Sequence, residues 1–490
     1  MRILSRAVRL FAVFLCICSL QIFAAPKRSD IEKEITEMMQ VYNVPGLSVA
    51  VVKDQKVILC KGFGLSNLEK KTPFNENTVG RLASATKFLT GLVVLKMAEK
   101  GVINLNDPLK KYVNDIPKDW QSIPLWRLMN HTSGIPTTEK TPFDIDKMTE
   151  DEQKKLSERD LFELINKFPL DYKPGEKWRY QQTAFATMVM IITEKTGKSW
   201  HQVVRETILK PAAMSNTIHN ELIKYPADLV PKDYKFEDGG FVNMPYFYVL
   251  AQSTGAGYNS TADDMAKMFL ALNKNQIVSL KFLKDEVYVK DRMYPLNETA
   301  SYSISTEIKP FGKFLTIGHS GGPDIANIRY SPDAKIGVAV LANRGTSGIS
   351  EDLTNRIFKR ILLGIPFDKQ QQSIVYAVRK IVTKSSYEVM TGFIDKAKFN
   401  KKAYDFTNAE SNFNSLGYVL LSEDRIQDAI KIFRLNVREF PKSANAYDSL
   451  GEVYMKNGNK DLAIENYEKS LELDPGNTNA VEVLKTLKAQ

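Results

Sequence analysis

The stretch from Arg81 to Ala98 constrains this chain more than any other. After Lys87, the residues Leu89, Val93 and Met97 recur at helical spacing, and Leu92 and Leu95 continue the apolar surface. A helix so apolar on most sides has to be buried. At its head stands a Ser-x-x-Lys, Ser84 and Lys87, found at no other place in the chain. The spacing puts the lysine one turn on from the serine, on the same face, so an amine comes within reach of a hydroxyl. A free serine is a poor nucleophile until a positioned base takes its proton. Lysine can be that base only where burial or nearby positive charge lowers its pKa. The partial positive charge of a helix N-terminus disfavours the ammonium, and its free N–H groups can hold an oxyanion. Taken alone, the same residues also fit an ordinary helix start, with Ser84 as N-cap and Lys87 at the surface.

The length of 490 residues predicts two or three domains. With 43% apolar and 25% charged residues the composition is that of a soluble globular protein. The formal charge is +10, yet no Lys/Arg run is interleaved with aromatics, so nucleic-acid binding is not expected. Arg2, Arg6 and Arg9 precede an apolar run from Leu10 to Phe23 and the small pair Ala24 and Ala25. This is the pattern of a signal peptide over 1–25, and it predicts a periplasmic or secreted protein that meets a membrane only if the signal stays uncleaved. Without the leader the charge falls to +7, and Cys16 and Cys18 are lost with it. Cys60 is then alone, which rules out an internal disulfide.

Along the chain, Asp30 to Val41 has helical periodicity. Two β-rich runs, Pro45 to Val52 and Lys56 to Cys60, flank a hairpin turn, with Gly62 and Gly64 closing the second. Asn130 to Pro136 is turn chemistry, and His131 within it suits a loop-fixing role better than a catalytic one. Lys147 to Phe168 is charged and helical. An aromatic-rich strand then leads to Tyr180 and Gln182, and Thr183 to Thr196 is a buried helix ended by Gly197. Tyr180 at that junction is either a packed core tyrosine or a proton carrier whose phenol is pulled down by a nearby ammonium. Ser253 to Ser260 is Gly-rich but lacks the lysine and spacing of a phosphate loop. Thr261 caps the helix that follows. Phe314 to Gly322 is a strand running into a glycine-rich edge. Two further strands are joined by the turn Ser331 to Lys335, and Ser350 to Leu363 is helical. The four histidines show no ligand spacing, so no metal or other cofactor is expected.

The tail has a period. Gly417 and Gly451, Ala429 and Ala463, and Pro441 and Pro475 are each 34 residues apart, with Phe413 and Tyr447 in a matching aromatic slot. This is the tetratricopeptide pattern of paired helices, here in two copies. Thr478 to Lys488 is expected to cap one end, and helical segments within Gln370 to Asn408 the other. From Phe406 onward there are 10 Lys/Arg and 13 Asp/Glu, so the module is near −3.

Ser84 with Lys87, Tyr180 with Gln182, and His319-Ser320-Gly321 on a strand occur in the order found in serine β-lactamases and penicillin-recognising hydrolases. Residues from about 30 to 365 resemble that family in its class C-like branch. The resemblance implies an α+β fold, an antiparallel sheet of N- and C-terminal strands flanked by helices plus an all-helical region. The expected divisions are signal peptide 1–25, hydrolase 26–365, helical linker 366–405 and an all-α tetratricopeptide module 406–490. Ser84 would form an acyl-enzyme, with Lys87 and Tyr180 sharing the proton. Backbone N–H groups of Ser84 and Gly322 would hold the oxyanion. Gln182, His319, Ser320, Gly321 and Gly322 would contact a peptide, amide or ester substrate. Gln182 replaces the family's usual Asn, and His319 stands where β-lactamases generally keep a lysine, which weakens the case for a carboxylate-bearing antibiotic. The competing expectation is a catalytically weak scaffold or sensor whose repeats bind a partner protein, and the tail could also join two copies of the chain.

Overall fold

The computed structural model describes residues 26–137, 149, 152, 158–219, 229–237, 240–244, 253–297, 299–345 and 347–489. The expected signal peptide lies outside them, as do 147–148, 150–151 and 153–157 of the stretch expected to be helical from Lys147. The end of that stretch is helix over Glu158–Ile165.

Helix α1 (Arg28–Tyr42) leads into the hairpin β1 (Gly46–Lys53) and β2 (Lys56–Asn67), then β3 (Thr72–Pro73). Three buried helices follow, α2 (Thr86–Glu99), α3 (Thr183–Thr196) and α4 (Ala262–Asn273). The chain then returns to the sheet with β4 (Tyr294–Pro295), β5 (Ser301–Ser303), β6 (Thr306–Phe311), β7 (Phe314–Gly321), β8 (Ala326–Ser331) and β9 (Ile336–Ala342), and α5 (Ile349–Leu362) lies behind it. These strands form one antiparallel sheet of nine, in the order β3-β2-β1-β9-β8-β7-β6-β5-β4. N- and C-terminal strands meet where Leu47 pairs with Ala342 and Lys53 with Ile336.

Strand alternation distributes the core to two faces. Leu47, Val49 and Val51 pack with α1 and α5, while Ala50 and Val52 join the larger core around α2, α3 and α4. Each such valine or leucine contributes about 1.5–3 kcal/mol by leaving water. β2 does not stop at Gly62 and Gly64 as the sequence suggested. A side chain at Gly62 would meet the Phe74 carbonyl oxygen at 2.2 Å, so these glycines permit close backbone approach inside a continuing strand.

Among the described residues that follow, the elements are helices apart from one two-residue strand pair. α6 (Ile374–Ile381) and α7 (Tyr387–Lys398) precede the pairs α8 (Ala409–Ser422) with α9 (Ile426–Glu439) and α10 (Ala444–Lys456) with α11 (Lys460–Leu473), and α12 (Thr478–Ala489) closes the stack. The repeat glycines have a visible reason. A Cβ at Gly417 would lie 2.5 Å from the Phe433 ring, and one at Gly451 would lie 3.0 Å from the Tyr467 ring. In both copies the second helix seats an aromatic on the bare backbone of the first. Ile374, Val378, Met390 and Ile394 share one core with Phe413 and Phe433, so the stretch before the repeats is packed as part of their stack.

Candidate active site

Ser84 lies on a 3₁₀ turn, Ala83–Ala85, just ahead of α2. Ala83 has φ of 43°, a left-handed backbone that costs a residue with a Cβ about 1–2 kcal/mol. The turn presses against the end of β7, where a Cβ on Gly321 would sit 2.1 Å from the Leu82 carbonyl oxygen. Gly321 therefore lets the serine-bearing turn sit beside His319, Ser320 and Gly322.

Lys87 is fully buried. Its Nζ donates to Gln182 Oε1 at 2.8 Å and to the Gly255 carbonyl oxygen at 3.1 Å. It lies 4.6 Å from the centroid of the Tyr180 ring and 5.1 Å from that of Phe185. Burial lowers its pKa to about 7, so amine and ammonium are both well populated near neutral pH.

Tyr180 stands three residues before α3, partly exposed, and lines the same cavity as Ser84. Burial raises its pKa, opposed in part by the nearby Ser84 hydroxyl. The expectation that an ammonium would pull the phenol down is not met, because desolvation dominates and Lys87 is itself only partly charged. Tyr180 is thus a neutral hydroxyl suited to relaying a proton.

His131 is buried behind this tyrosine, with ring centroids 4.6 Å apart from Tyr180 and 4.9 Å apart from Tyr302. Its Nδ1 accepts from the Gln181 backbone N–H at 3.3 Å. Burial, then Lys87, then His319 hold it well below the usual imidazole range. It fixes the Tyr180 segment in place.

His319 is also neutral at pH 7. Burial lowers its pKa to about 4, with Lys87 adding to the effect, and its Nδ1 lies 2.6 Å from the Ser320 carbonyl oxygen. Pairing of β6 with β7 stops at Glu307 opposite Gly318, so the His319–Gly321 end pairs with β8 alone.

These elements surround a cavity of about 220 Å³. Ser84, Tyr180, His319, Ser320 and Gly322 line it, as the sequence suggested. Gln182 and Gly321 do not line it: the first holds Lys87 and the second seats the Leu82 backbone. Trp178, Tyr302 and Glu307 line it and were not foreseen. Burial opposes ionisation of Glu307, but Arg329, Lys309 and His319 outweigh it and hold the carboxyl at about 2. Arg329 Nη2 is 2.8 Å away, reaching across the bare backbone of Gly318. Glu307 sits in an ordinary strand pattern, so no signal marked it.

Gly255 was also missed, although its Gly-rich run was noticed. A Cβ there would lie 2.1 Å from Gln182 Oε1 and 2.7 Å from Lys87 Nζ. The missing side chain makes room for the longer amide of Gln182. Gly255→Ala is expected to lower kcat by about 10²-fold through displacement of Lys87. Adding Gln182→Asn, which withdraws one methylene, should restore most of the rate, and steady-state kinetics on the two variants check this.

A nine-stranded antiparallel sheet of this connectivity, flanked by helices and with a serine-bearing turn at its edge, is the β-lactamase/transpeptidase-like fold. Residues 31–359 match the family model described as Beta-lactamase, and the chain belongs to that family. Residues 444–477 match a tetratricopeptide repeat, so the family domain is followed by a repeat module. Protein flp of Staphylococcus aureus (strain N315) is 32% identical over 196 residues, 39% of this chain and 38% of that protein. The chain therefore spans well under half the length of these Staphylococcus relatives. Penicillin-binding protein 4* of Bacillus subtilis (strain 168) is 24% identical over 339 residues, covering 66% of this chain and 73% of that one. Among solved structures, the octameric penicillin-binding protein homologue from Pyrococcus abyssi aligns with a TM-score of 0.61 at 26% identity, covering 73% of this chain and 81% of that chain. The D-amino acid amidase from Ochrobactrum anthropi SV3 aligns with a TM-score of 0.58 at 20% identity, covering 69% of this chain and 98% of that chain, which is a likeness of fold.

Proposed function

We propose that the protein is an exported serine hydrolase that forms an acyl-enzyme on Ser84 and cleaves peptide, amide or ester substrates. The observation that carries this reading is the fully buried Lys87, with its pKa drawn to about 7 and its Nζ 4.6 Å from the ring centroid of Tyr180, which lines one cavity with Ser84. The neutral amine of Lys87 takes the Ser84 proton, with Tyr180 relaying it, and Ser84 Oγ bonds to the substrate carbonyl carbon. Backbone N–H groups of Ser84 and Gly322 hold the oxyanion. The C–N or C–O bond then breaks, and the leaving group takes the proton back along the same route. Water then bonds to the acyl carbon as Lys87 takes its proton, the bond from that carbon to Ser84 Oγ breaks, the proton returns to Oγ, and the acid departs. Glu307 in the cavity wall is already paired with Arg329 and Lys309, and neutral His319 supplies no free cation. With no free cation in this wall, a neutral acyl group suits it better than a carboxylate-bearing β-lactam. Export rests on the basic and apolar leader, and a protein partner for the repeats rests on their family.

A fluorophosphonate probe is expected to label the wild-type chain and not Ser84→Ala. The variant should lose on the order of 10⁴-fold or more in turnover of small esters and D-amino-acid amides. Equal labelling of both chains, or turnover that survives in the variant, overturns the reading.

A further inference from the structure

A groove of about 980 Å³ runs between the family domain and the repeats, with α5 on one side and α8 on the other. It abuts the Ser84 cavity. Leu296 and Gly322 line the cavity, and their chain neighbours Asn297 and Pro323 line the groove. Lys309, in the groove wall, pairs with Glu307 of the cavity at 3.2 Å.

We infer that this groove is the distal subsite for an extended peptide whose scissile bond lies at Ser84, an inference that rests on the reading of Ser84 as the acylated nucleophile. The His319–Gly321 end of β7 pairs on one side only, which suits main-chain hydrogen bonding to an extended ligand. The protein chain itself passes from that edge through Gly322 and Pro323 to the groove wall, so a ligand laid along the strand is led there. The groove volume is at the upper end of the about 300–1,000 Å³ that suits a drug-sized ligand, with room for several residues. Its lining is dominated by hydroxyl and amide side chains, such as Ser411, Asn412 and Ser415 of α8. The charged lining residues balance, with Asp324, Glu351, Asp352 and Asp405 against four cations on Lys309, Arg356, Lys359 and Arg379. A balanced, hydrogen-bonding wall fits a neutral peptide backbone and gives a polyanion no advantage. The repeats thereby serve the hydrolase as part of its own substrate site.

The test uses alanine oligomer p-nitroanilides and oligomer amides of one, three and six residues, of either hand, extended on the acyl or the leaving side, with the full chain. Remote binding energy can be used to raise kcat/KM, so the wild type should gain about tenfold or more from one residue to six. Ser415 is exposed on α8, outside the core, and Ser415→Trp puts an indole into the groove to obstruct it. It should erase that gain while leaving the one-residue probe unchanged. A flat length profile in the wild type, or equal slowing of short and long probes, overturns the inference. Anisotropy of a fluorescein-labelled hexa-alanine on Ser84→Ala separates the two readings. Peptide binding that Ser415→Trp abolishes, without turnover of any probe by the wild type, sinks the serine mechanism alone. No peptide binding, or binding of cellohexaose in its place, sinks the groove assignment.

Discussion

Lys87→Met is expected to cut turnover by orders of magnitude and to leave the protein more stable. The activity loss follows from its place as base, and general-base removal costs about 10²–10⁴-fold. The stability gain follows from linkage. Folding lowers the lysine from the ordinary 10.5 to about 7 by burial. Between those values the unfolded chain binds a proton that the folded chain does not, so stability rises with pH across the window and is lost as pH falls towards 7. At neutral pH the penalty is on the order of a few kcal/mol. Methionine has similar volume and no charge, so it removes that penalty. Against it stands the lost donor to Gln182 Oε1 and Gly255 O, worth about 1–3 kcal/mol. Gln182 is only half-buried and can turn to water, so the balance favours the variant. The wild-type kcat/KM should fall tenfold per pH unit below about 7, since the neutral amine is required. That inflection should vanish from any residual activity of the variant. A higher unfolding midpoint at pH 7 and a narrowing stability gap towards pH 10 check the thermodynamic half. A destabilised variant would overturn it.

What the sequence carried was local. The buried helix behind Ser84, the helix ending at Gly197 and the strands from Phe314 to Ala342 were legible because apolar periodicity, caps and turn residues all act within a few positions. The repeats were legible because Gly417 and Gly451 each leave space for an aromatic sixteen residues on, and that pairing repeats with the period. Ser84, Lys87 and Tyr180 were found through a motif order, and the structure brings them together. Glu307 and Gly255 were out of reach. Glu307 matters through Arg329, two strands away, and Gly255 through the side chain it lacks next to Gln182. Neither position differs locally from an ordinary strand or turn, and both acquire their role only from partners far along the chain.

Glu423→Ala is expected to cost about 3–5 kcal/mol and to loosen the repeats from the family domain. Glu423 follows α8 and is almost fully buried. Its carboxylate receives Arg344, which follows β9, and lies 3.6 Å from Arg379 of α6 and 3.0 Å from Arg425. Arg344 Nη1 also donates to the backbone oxygens of Tyr42 and Asn43 at 2.7 and 2.8 Å, and the Arg379 guanidinium sits 4.9 Å from the centroid of the Tyr42 ring. One carboxylate thus joins the first repeat, the preceding helix and the end of α1. Removing it leaves Arg344 and Arg379 buried without their anion, and that residual charge, more than the lost attraction, sets the cost. Arg425 keeps Asp428 at 2.8 Å and contributes less. The charge argument is separable from packing by a double variant. Arg344→Met with Glu423→Met should be much less destabilised than the sum of its single variants, because neither charge is left alone. Thermal unfolding and protease sensitivity between α5 and α8 are the readouts. Strict additivity would mean that the pair holds the two units together by shape alone. If the groove beside α8 serves the hydrolase, Glu423→Ala should also weaken turnover of six-residue probes before it affects the one-residue probe, since the cavity at Ser84 is built without Glu423 while the groove needs α8 held in place.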